Sequence, residues 1–154
     1  MSPLNVLFLC GENSARSIMA EALLERFGGN EFRAFSAGMR DRGEVHPYAV
    51  QTLRDNGLPV SNLKAKTSSE FLAANSVPVD YSITLCGKPD DAVLRMFPGN
   101  SQWAFWNISD PQDEHGAEPL RHYAFRRTFR ELENRIRLFV LVNTPRRNRS
   151  AQAA

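Results

Sequence analysis

The sequence predicts an α/β domain, a three-layer sandwich in which a four-stranded parallel sheet lies between layers of helices. Two observations lead to this prediction. Residues 4–10 form a short, nearly unbroken apolar run, which is typical of a strand buried on both faces of a parallel sheet. Further short strand patterns then alternate with helical patterns along the chain. A length of 154 residues suits a single domain with a sizeable core.

The composition excludes several other classes of protein. The net charge of +2 is too close to balance to indicate nucleic-acid binding. No apolar stretch is long enough to span a bilayer, and the N-terminus has no basic flank or cleavage pattern of a signal peptide. The two cysteines, Cys10 and Cys86, do not form a disulfide scaffold. We therefore expect a cytoplasmic monomer without nucleic-acid or membrane partners.

The first strand leads through a short loop into an amphipathic helix. The apolar residues of that helix recur at steps of three and four, and they are Ile18, Met19, Ala22, Leu23 and Phe27. Gly28-Gly29 provides a C-terminal stop. Because the N–H groups of the loop and the positive end of the helix converge on one point, the segment predicts an anion cradle.

Cys10 and Arg16, with five residues between them, supply the chemistry of this cradle. A thiol facing a helix N-terminus ionises more readily than a free cysteine, and an arginine can bind two oxygens of a tetrahedral oxyanion. We expect the sulfur to attack the central atom of a phosphate-like dianion. The predicted substrate-binding residues are Gly11, Glu12, Asn13, Ser14, Ala15, Arg16 and Ser17. The Ser17 hydroxyl can donate to the thiolate, whereas Glu12 repels an anion unless its side chain points to solvent.

The second strand and second helix follow from local patterns. Residues 31–35 alternate as a strand does, and Ser36-Ala37-Gly38 is interpreted as the turn at which the chain leaves this strand. Residues 45–57 predict a helix with Pro47 in its first turn and a glycine at its end. His46 is interpreted as a cap of that helix rather than as a catalytic base.

The third strand is predicted at 80–86, after a short helix at 68–72, and it ends in Cys86. Ligands gather at the carboxyl ends of strands in open α/β sheets. Since Cys10 also ends a strand, we expect the two thiols to approach each other. Cys86 is then either a resolving thiol, which forms a disulfide with Cys10, or a lone buried thiol.

The chain between the third strand and the polar loop continues the alternation. A short helix is predicted at 90–96, a turn at 97–100 and the fourth strand at 102–106, whose aromatic residues are assigned to the core.

Asp110-Pro111 follows the fourth strand in a polar loop. Displacement at a tetrahedral centre requires a proton on the leaving oxygen, and a carboxylic acid over the cradle can deliver it. Pro111 favours an extended conformation of Asp110. The neighbouring residues 113–115 carry potential metal ligands, but three consecutive residues on a loop rarely form a closed site, so no metal is expected.

The last helix is predicted at 120–142. Its buried stripe consists of Phe125, Phe129, Leu132, Ile136 and Phe139. From Asn143 the chain is polar and basic. We therefore predict a single domain at 1–143 and a flexible basic tail at 144–154.

The motifs resemble the low-molecular-weight protein tyrosine phosphatase superfamily over about residues 4–142. Leu9-Cys10, the run 13–17 and Met19-Ala20-Glu21 are more similar to its thiol-dependent arsenate reductase branch, as are His46-Pro47 and residues 66–71. Ala15 stands where the phosphatase branch usually has a second cysteine. Both branches share the Asp-Pro pair, but the tyrosines that usually follow it in phosphatases are replaced by Gln112-Asp113.

The resemblance implies the sheet order 2-1-3-4 and a function in arsenate reduction. It implies that Cys10 forms the arsenate adduct, that Asp110 protonates the departing oxygen, and that Cys86 attacks the adduct and releases arsenite. Many members carry a third cysteine a few residues later, where this chain has Val93 and Leu94. No bound cofactor is expected, and an external thiol (glutathione with glutaredoxin, or thioredoxin) has to regenerate the enzyme.

Two alternatives remain open at the level of sequence. In the first, the same Cys10, Arg16 and Asp110 hydrolyse phosphotyrosine or aryl phosphates through a phosphocysteine, and Cys86 is idle. In the second, the protein binds oxyanions or senses redox state without turnover, through a reversible Cys10–Cys86 disulfide.

Overall fold

The computed structural model describes residues 2–40, 43–72, 77–97 and 101–153. Within these residues the strands are β1 (Leu4–Cys10), β2 (Phe32–Gly38), β3 (Tyr81–Thr84) and β4 (Gln102–Phe105). The helices are α1 (Arg16–Gly28), α2 (Pro47–Asp55), α3 (Ser69–Leu72), α4 (Asp91–Met96) and α5 (Glu118–Ala153). Single turns of 3-10 helix occupy Gly29–Glu31 and Pro111–Asp113.

The four strands form one parallel sheet in the order β2-β1-β3-β4, which confirms the predicted architecture. The register pairs Cys10 with Gly38, Leu9 with Thr84, and Thr84 with Phe105. The carboxyl ends of all four strands therefore meet at one edge of the sheet, which is where open α/β sheets bind ligands.

The central strand β1 is buried on both faces. Its residues alternate between two apolar cores: Val6 and Phe8 pack with α1 and α5, whereas Leu7 and Leu9 pack with Phe71 of α3 on the other side. All four of these β1 side chains are fully buried. The unbroken apolar run thus has the physical cause that the sequence indicated, which is burial between two helical layers.

Helix α5 is longer than predicted. It begins at Glu118 and continues to Ala153, through the segment that the sequence assigned to a flexible tail. The turn at Asn143 is tied to the sheet, because its side chain accepts a 2.9 Å hydrogen bond from the Tyr81 hydroxyl and donates one of 2.7 Å to the Phe139 carbonyl. The apolar stripe ends near Phe139, and these two hydrogen bonds hold the helix against the sheet as far as Asn143. The division into a domain and a tail stays a prediction.

Three other predicted details differ. Ser36-Ala37-Gly38 ends β2 rather than forming a turn, because the Gly38 backbone exchanges hydrogen bonds of 2.8 Å with Lys66 and Ser68. Strand β3 ends at Thr84, two residues before Cys86. On β4, Phe105 is 40% exposed and lies outside the core. Most of the predicted turn at 97–100 lies outside the described residues.

In the part of the chain that the structure describes, no helix has both the length and the apolar character needed to cross a membrane.

Candidate active site

The loop between β1 and α1 is held by the segment that follows β2. Backbone N–H groups of that segment donate to loop carbonyls, over distances of 2.8 to 3.1 Å. The pairs are Met39 to Cys10, Arg40 to Gly11, Gly43 to Glu12 and His46 to Ser14. Because these carbonyls point outward to the segment 39–46, the loop's own N–H groups are left for the inner side of the turn. The loop is thereby built as an anion cradle.

Two backbone features allow this tight arrangement. Asn13 has a φ of 56°, the left-handed region that asparagine tolerates better than most residues. Gly38 packs so closely on the loop that a Cβ there would lie 2.8 Å from the carbonyl carbon of Glu12. The loop and the end of β2 could not approach this closely with a side chain at Gly38.

A buried hydrogen-bond network lies behind the sulfur of Cys10, which is 3% exposed. The Ser17 hydroxyl is 2.8 Å from the sulfur, and the Asn13 side-chain amide donates to the same hydroxyl oxygen at 2.7 Å. The Asn13 carbonyl oxygen accepts from the Lys66 backbone N–H at 2.7 Å. Because the Ser17 hydroxyl oxygen accepts a hydrogen bond from the Asn13 amide, its own hydroxyl hydrogen is available to the sulfur.

Arg16 is anchored between the ends of β3 and β4. Its guanidinium donates to the carbonyls of Leu85 at 3.3 Å and Ile108 at 2.9 Å. The same group forms an ion pair with Asp110 at 3.3 Å. The Arg16 side chain is only 12% exposed, so its orientation toward the cradle is set by the fold.

Asp110 lies at the start of the 3-10 turn after β4 and uses its two oxygens differently. One oxygen accepts from the Gln112 backbone N–H at 3.0 Å, and the other faces Arg16. The predicted extended conformation is present, with φ of −78° and ψ of 115°. The carboxyl group therefore stands beside the cradle in a fixed rotamer.

Cys86 is exposed and lies just beyond β3, where it bridges to Asn107. Partial desolvation raises the pKa of its thiol, and the nearby Cys10 raises it further, whereas the positive charges of Arg16 and Arg40 lower it. Cys86 does not line the cleft that contains Cys10, but the residue before it, Leu85, accepts a hydrogen bond from the Arg16 guanidinium, so the second cysteine follows directly on a residue that contacts the site. The two thiols differ in access, because one is exposed and the other is buried.

A cleft of about 200 Å³ opens over the cradle. Its lining includes most of the residues that the sequence singled out, together with two that it missed: Cys10, Gly11, Glu12, Ser14, Ala15, Arg16, Arg40, Asp110 and Gln112. The side chains of Asn13 and Ser17 are fully buried behind the loop. Glu12 is exposed, and its carboxylate packs against Gly43, where a Cβ would lie 3.3 Å from Oε2.

Arg40 and Gln112 are the cleft residues that sequence reasoning did not assign to the site. Arg40 follows the end of β2 by two residues, and no local pattern distinguishes it from a surface arginine. The Gln112 side chain donates to the Ser14 hydroxyl at 2.8 Å, which closes one side of the cleft. Its place directly after Asp110-Pro111 was a usable signal.

A larger cavity of about 400 Å³ lies along α1, between this helix and residues 58–66. Its lining includes Glu21 and Glu25, and burial followed by repulsion from Glu21 raises the pKa of Glu25. Cys10, Arg16 and Asp110 do not line it. We assign the site to the smaller cleft because it alone combines the buried thiol with a guanidinium and a carboxyl group among the described cavities.

His46 caps α2, as predicted. Its Nδ1 accepts a 3.0 Å hydrogen bond from the Tyr48 backbone N–H, so that nitrogen carries no proton. Burial and the charge of Arg121 lower the pKa of this imidazole, and Asp110 opposes them. A neutral ring is the form that the cap requires.

Comparisons with known proteins agree with this site. Residues 5–150 match the family described as low molecular weight phosphotyrosine protein phosphatase. An arsenate reductase of Halalkalibacterium halodurans is 33% identical over 87% of this chain and 93% of its own length. The crystal structure of an arsenate reductase from Archaeoglobus fulgidus has a TM-score of 0.67 and 29% identity, covering 88% of this chain and 98% of the other.

A more distant structural relative is a thioredoxin-dependent arsenate reductase of Corynebacterium glutamicum. It has a TM-score of 0.55 and 25% identity, and the match covers 89% of this chain and 64% of that one. The match to the family over nearly the whole chain and the agreement in fold lead to one conclusion: this protein is a member of the low molecular weight phosphotyrosine protein phosphatase family.

Proposed function

We propose that this enzyme reduces arsenate to arsenite through an adduct on Cys10 and a disulfide with Cys86. One observation carries the proposal. A buried thiol with a hydroxyl donor behind it faces an arginine and an aspartate in a small cleft, and a second, exposed thiol follows Leu85, whose carbonyl accepts a hydrogen bond from that arginine. The curated relatives named as arsenate reductases support the choice of substrate.

In the first step the Cys10 thiolate attacks arsenic, and an arsenic–oxygen bond breaks. The backbone N–H groups of 11–16 and the Arg16 guanidinium hold the remaining oxygens. Ser17 stabilises the thiolate before the attack, because its hydroxyl is 2.8 Å from the sulfur. The cradle is formed before substrate binds, so little reorganisation accompanies the reaction.

Asp110 delivers the proton to the departing oxygen, which leaves as water. In the empty site its carboxylate pairs with Arg16 at 3.3 Å. When the oxyanion takes over the Arg16 donors, the Asp110 carboxyl group is released from this ion pair and can hydrogen-bond to the bound oxyanion. A proton on this carboxyl group lies within the cleft where the leaving oxygen forms.

In the second step the Cys86 sulfur attacks the Cys10 sulfur. The sulfur–arsenic bond breaks, its electron pair stays with arsenic, and As(V) leaves as As(III) arsenite. The two thiols become a disulfide. Because the pKa of Cys86 is raised mainly by desolvation, we expect this step to accelerate as the solution becomes more alkaline.

An external thiol then reduces the disulfide. We infer that it attacks the sulfur of Cys86, which is the exposed one, and expels the Cys10 thiolate, which the cradle and Ser17 stabilise. A second thiol releases the mixed disulfide. Glutathione with glutaredoxin, or thioredoxin, has the required chemistry, and the Corynebacterium glutamicum relative is named as thioredoxin-dependent. Such reductants are maintained in the cytoplasm, where we expect the protein to act as a monomer.

Phosphatase activity on aryl phosphates is the second candidate, because the description of the family names phosphotyrosine phosphatases. Phosphate and arsenate have the same shape and charge, so Cys10, Arg16 and Asp110 would serve both. The exposed second thiol next to Leu85 favours the reductase, because phosphoryl transfer has no step that uses it.

The deciding experiment compares two reactions of the same preparation. Arsenate-dependent oxidation of glutathione with glutaredoxin, and separately with thioredoxin, is measured beside hydrolysis of p-nitrophenyl phosphate. We expect arsenate to consume reductant far faster than phosphate does. If arsenate and phosphate consume reductant equally slowly, arsenate reduction is rejected, and the aryl phosphate rate decides between hydrolysis and binding without turnover.

A further inference from the structure

A second guanidinium lies in the cleft, at the opposite end of the loop from Arg16. The Arg40 backbone N–H donates to the Gly11 carbonyl at 2.9 Å, which fixes the position of the residue. Its side chain then lies flat against Gly11: a Cβ there would clash with the Arg40 Nη2 and would lie 3.2 Å from the guanidinium carbon. The residue lines the cleft together with Cys10 and Arg16.

The two arginines differ in how many of their guanidinium N–H donors already have partners within the protein. The Arg16 donors are used by the Leu85 and Ile108 carbonyls and by Asp110. Arg40 is exposed, and its guanidinium has no hydrogen bond or ion pair to residues in the described ranges. Among the described residues, none occupies the planar set of donors that Arg40 can offer to a ligand.

The charged side chains of the cleft indicate what Arg40 contributes to anion binding. The lining contains two carboxylates, on Glu12 and Asp110, and two guanidiniums, on Arg16 and Arg40. Without Arg40 the charges of Glu12, Asp110 and Arg16 would sum to minus one, and the Cys10 thiolate of the proposed reaction would add a further negative charge, so a dianion would meet net repulsion. Arg40 cancels one unit of this negative charge, which leaves less repulsion for the backbone N–H groups of the loop to overcome.

We propose that Arg40 is a second oxyanion-binding residue, which holds the outer oxygens of the substrate from the Gly11 end of the cradle. Here Arg40 compensates the carboxylate that Glu12 brings to the cradle. The positive charge of Arg40 also lowers the pKa of Cys86, which favours the thiolate form of the second cysteine. The inference rests on the proposed function only in taking an oxyanion as the substrate.

Inorganic phosphate is the probe for the test, because it binds without being turned over. Its dissociation constant is obtained from the phosphate-dependent rise in the thermal unfolding temperature. The variants are Arg40→Gln, Arg40→Lys and the matched control Arg54→Gln, which removes the same charge from an exposed position on α2. Unfolding without phosphate verifies that each variant folds.

We expect Arg40→Gln to weaken phosphate binding about tenfold, as the loss of one charge-assisted hydrogen bond would. Arg40→Lys should retain part of the affinity because it keeps the charge but not the planar donors. Arg54→Gln should bind as the wild type does. The glutamine effect should shrink in high salt, because the site is exposed.

Unchanged phosphate affinity in Arg40→Gln would overturn the proposal, and so would an equal loss in Arg54→Gln. If Arg40→Gln does not fold, the test rests on Arg40→Lys. Phosphate affinity of Arg40→Lys equal to that of the wild type at every salt concentration would then contradict a role for the planar guanidinium. Wild-type arsenate turnover is measured separately. Its absence, with the phosphate effect intact, would remove the proposed function and leave the role of Arg40 standing.

Discussion

The hydroxyl oxygen of Ser17 lies 2.8 Å from the sulfur of Cys10, and both atoms are buried. Asn13 donates to that hydroxyl from behind, which leaves the hydroxyl hydrogen for the sulfur. The interaction strengthens as the sulfur gains negative charge, because hydrogen bonds to charged acceptors are about twice as strong as neutral ones. We therefore propose that Ser17, besides being part of the core, activates the Cys10 sulfur as a nucleophile.

Replacing Ser17 with alanine should slow alkylation of Cys10 by iodoacetamide at neutral pH by about tenfold or more, because the thiolate loses a donor. The change also leaves the buried Asn13 amide without its partner, which should lower the free energy of unfolding by about 1–3 kcal/mol. Ser61→Ala, at an exposed turn, is the control. Equal alkylation rates in the two variants would contradict the assignment.

Replacing Asp110 with asparagine should slow formation of the Cys10 adduct by about 10²- to 10⁴-fold, because an amide cannot deliver the proton. Phosphate binding should not weaken, since the change removes a carboxylate that competes for Arg16. Rapid-quench measurement of adduct formation and phosphate titration together test the pair of effects. Weaker phosphate binding with normal chemistry would indicate a structural role instead.

Replacing Cys86 with serine should permit the first adduct and stop multiple turnover, because nothing attacks the Cys10 sulfur. Mass spectrometry of the enzyme should show the arsenate adduct on Cys10. The release of arsenite should fall to near background. Cys86→Ala is the matched variant and should behave alike. Unchanged turnover with glutathione alone would remove Cys86 from the mechanism.

His46 should make stability depend on pH. Burial lowers the pKa of this imidazole below its ordinary value of 6.5, so the unfolded chain binds the proton first. The stabilisation is complete above pH 6.5 and is lost as the pH falls through the lower pKa of the folded state. Urea unfolding between neutral and mildly acidic pH should show this slope.

The matched variant is His46→Asn, which can still cap α2 but does not titrate. The slope that His46 contributes should be missing from it, with little change in stability at neutral pH. An identical pH slope in the variant would mean that another group causes the dependence.

The sequence was sufficient for the local part of the site. The strand, loop and helix at 4–28 form one continuous signal, because burial, helix periodicity and loop chemistry agree within a single stretch. Asp110 was found because it follows a strand that ends at the same edge of the sheet. The order of the strands required the resemblance, since apolar patterns alone do not specify which strands pair.

The parts of the site that depend on contacts between distant segments could not be predicted from the sequence, for a physical reason. Arg40 enters the cleft because β2 pairs with β1 in a register that brings Gly38 beside Cys10. A shift of that register by one residue would turn the segment away, and nothing in residues 38–43 themselves records the register. The contact that holds Asn143 on α5 was missed similarly, because its partner Tyr81 lies on a distant strand.

The backbone hydrogen bonds from Met39, Arg40, Gly43 and His46 to the loop between β1 and α1 have a consequence for sequence variation. The hydrogen bonds that hold the loop come from backbone N–H groups. Substitutions at Met39 or Gly43 should therefore leave the loop in place whenever the new residue keeps its backbone N–H. Proline is the exception, since it lacks that hydrogen. A proline scan across these positions would trace the scaffold of the loop independently of side-chain chemistry.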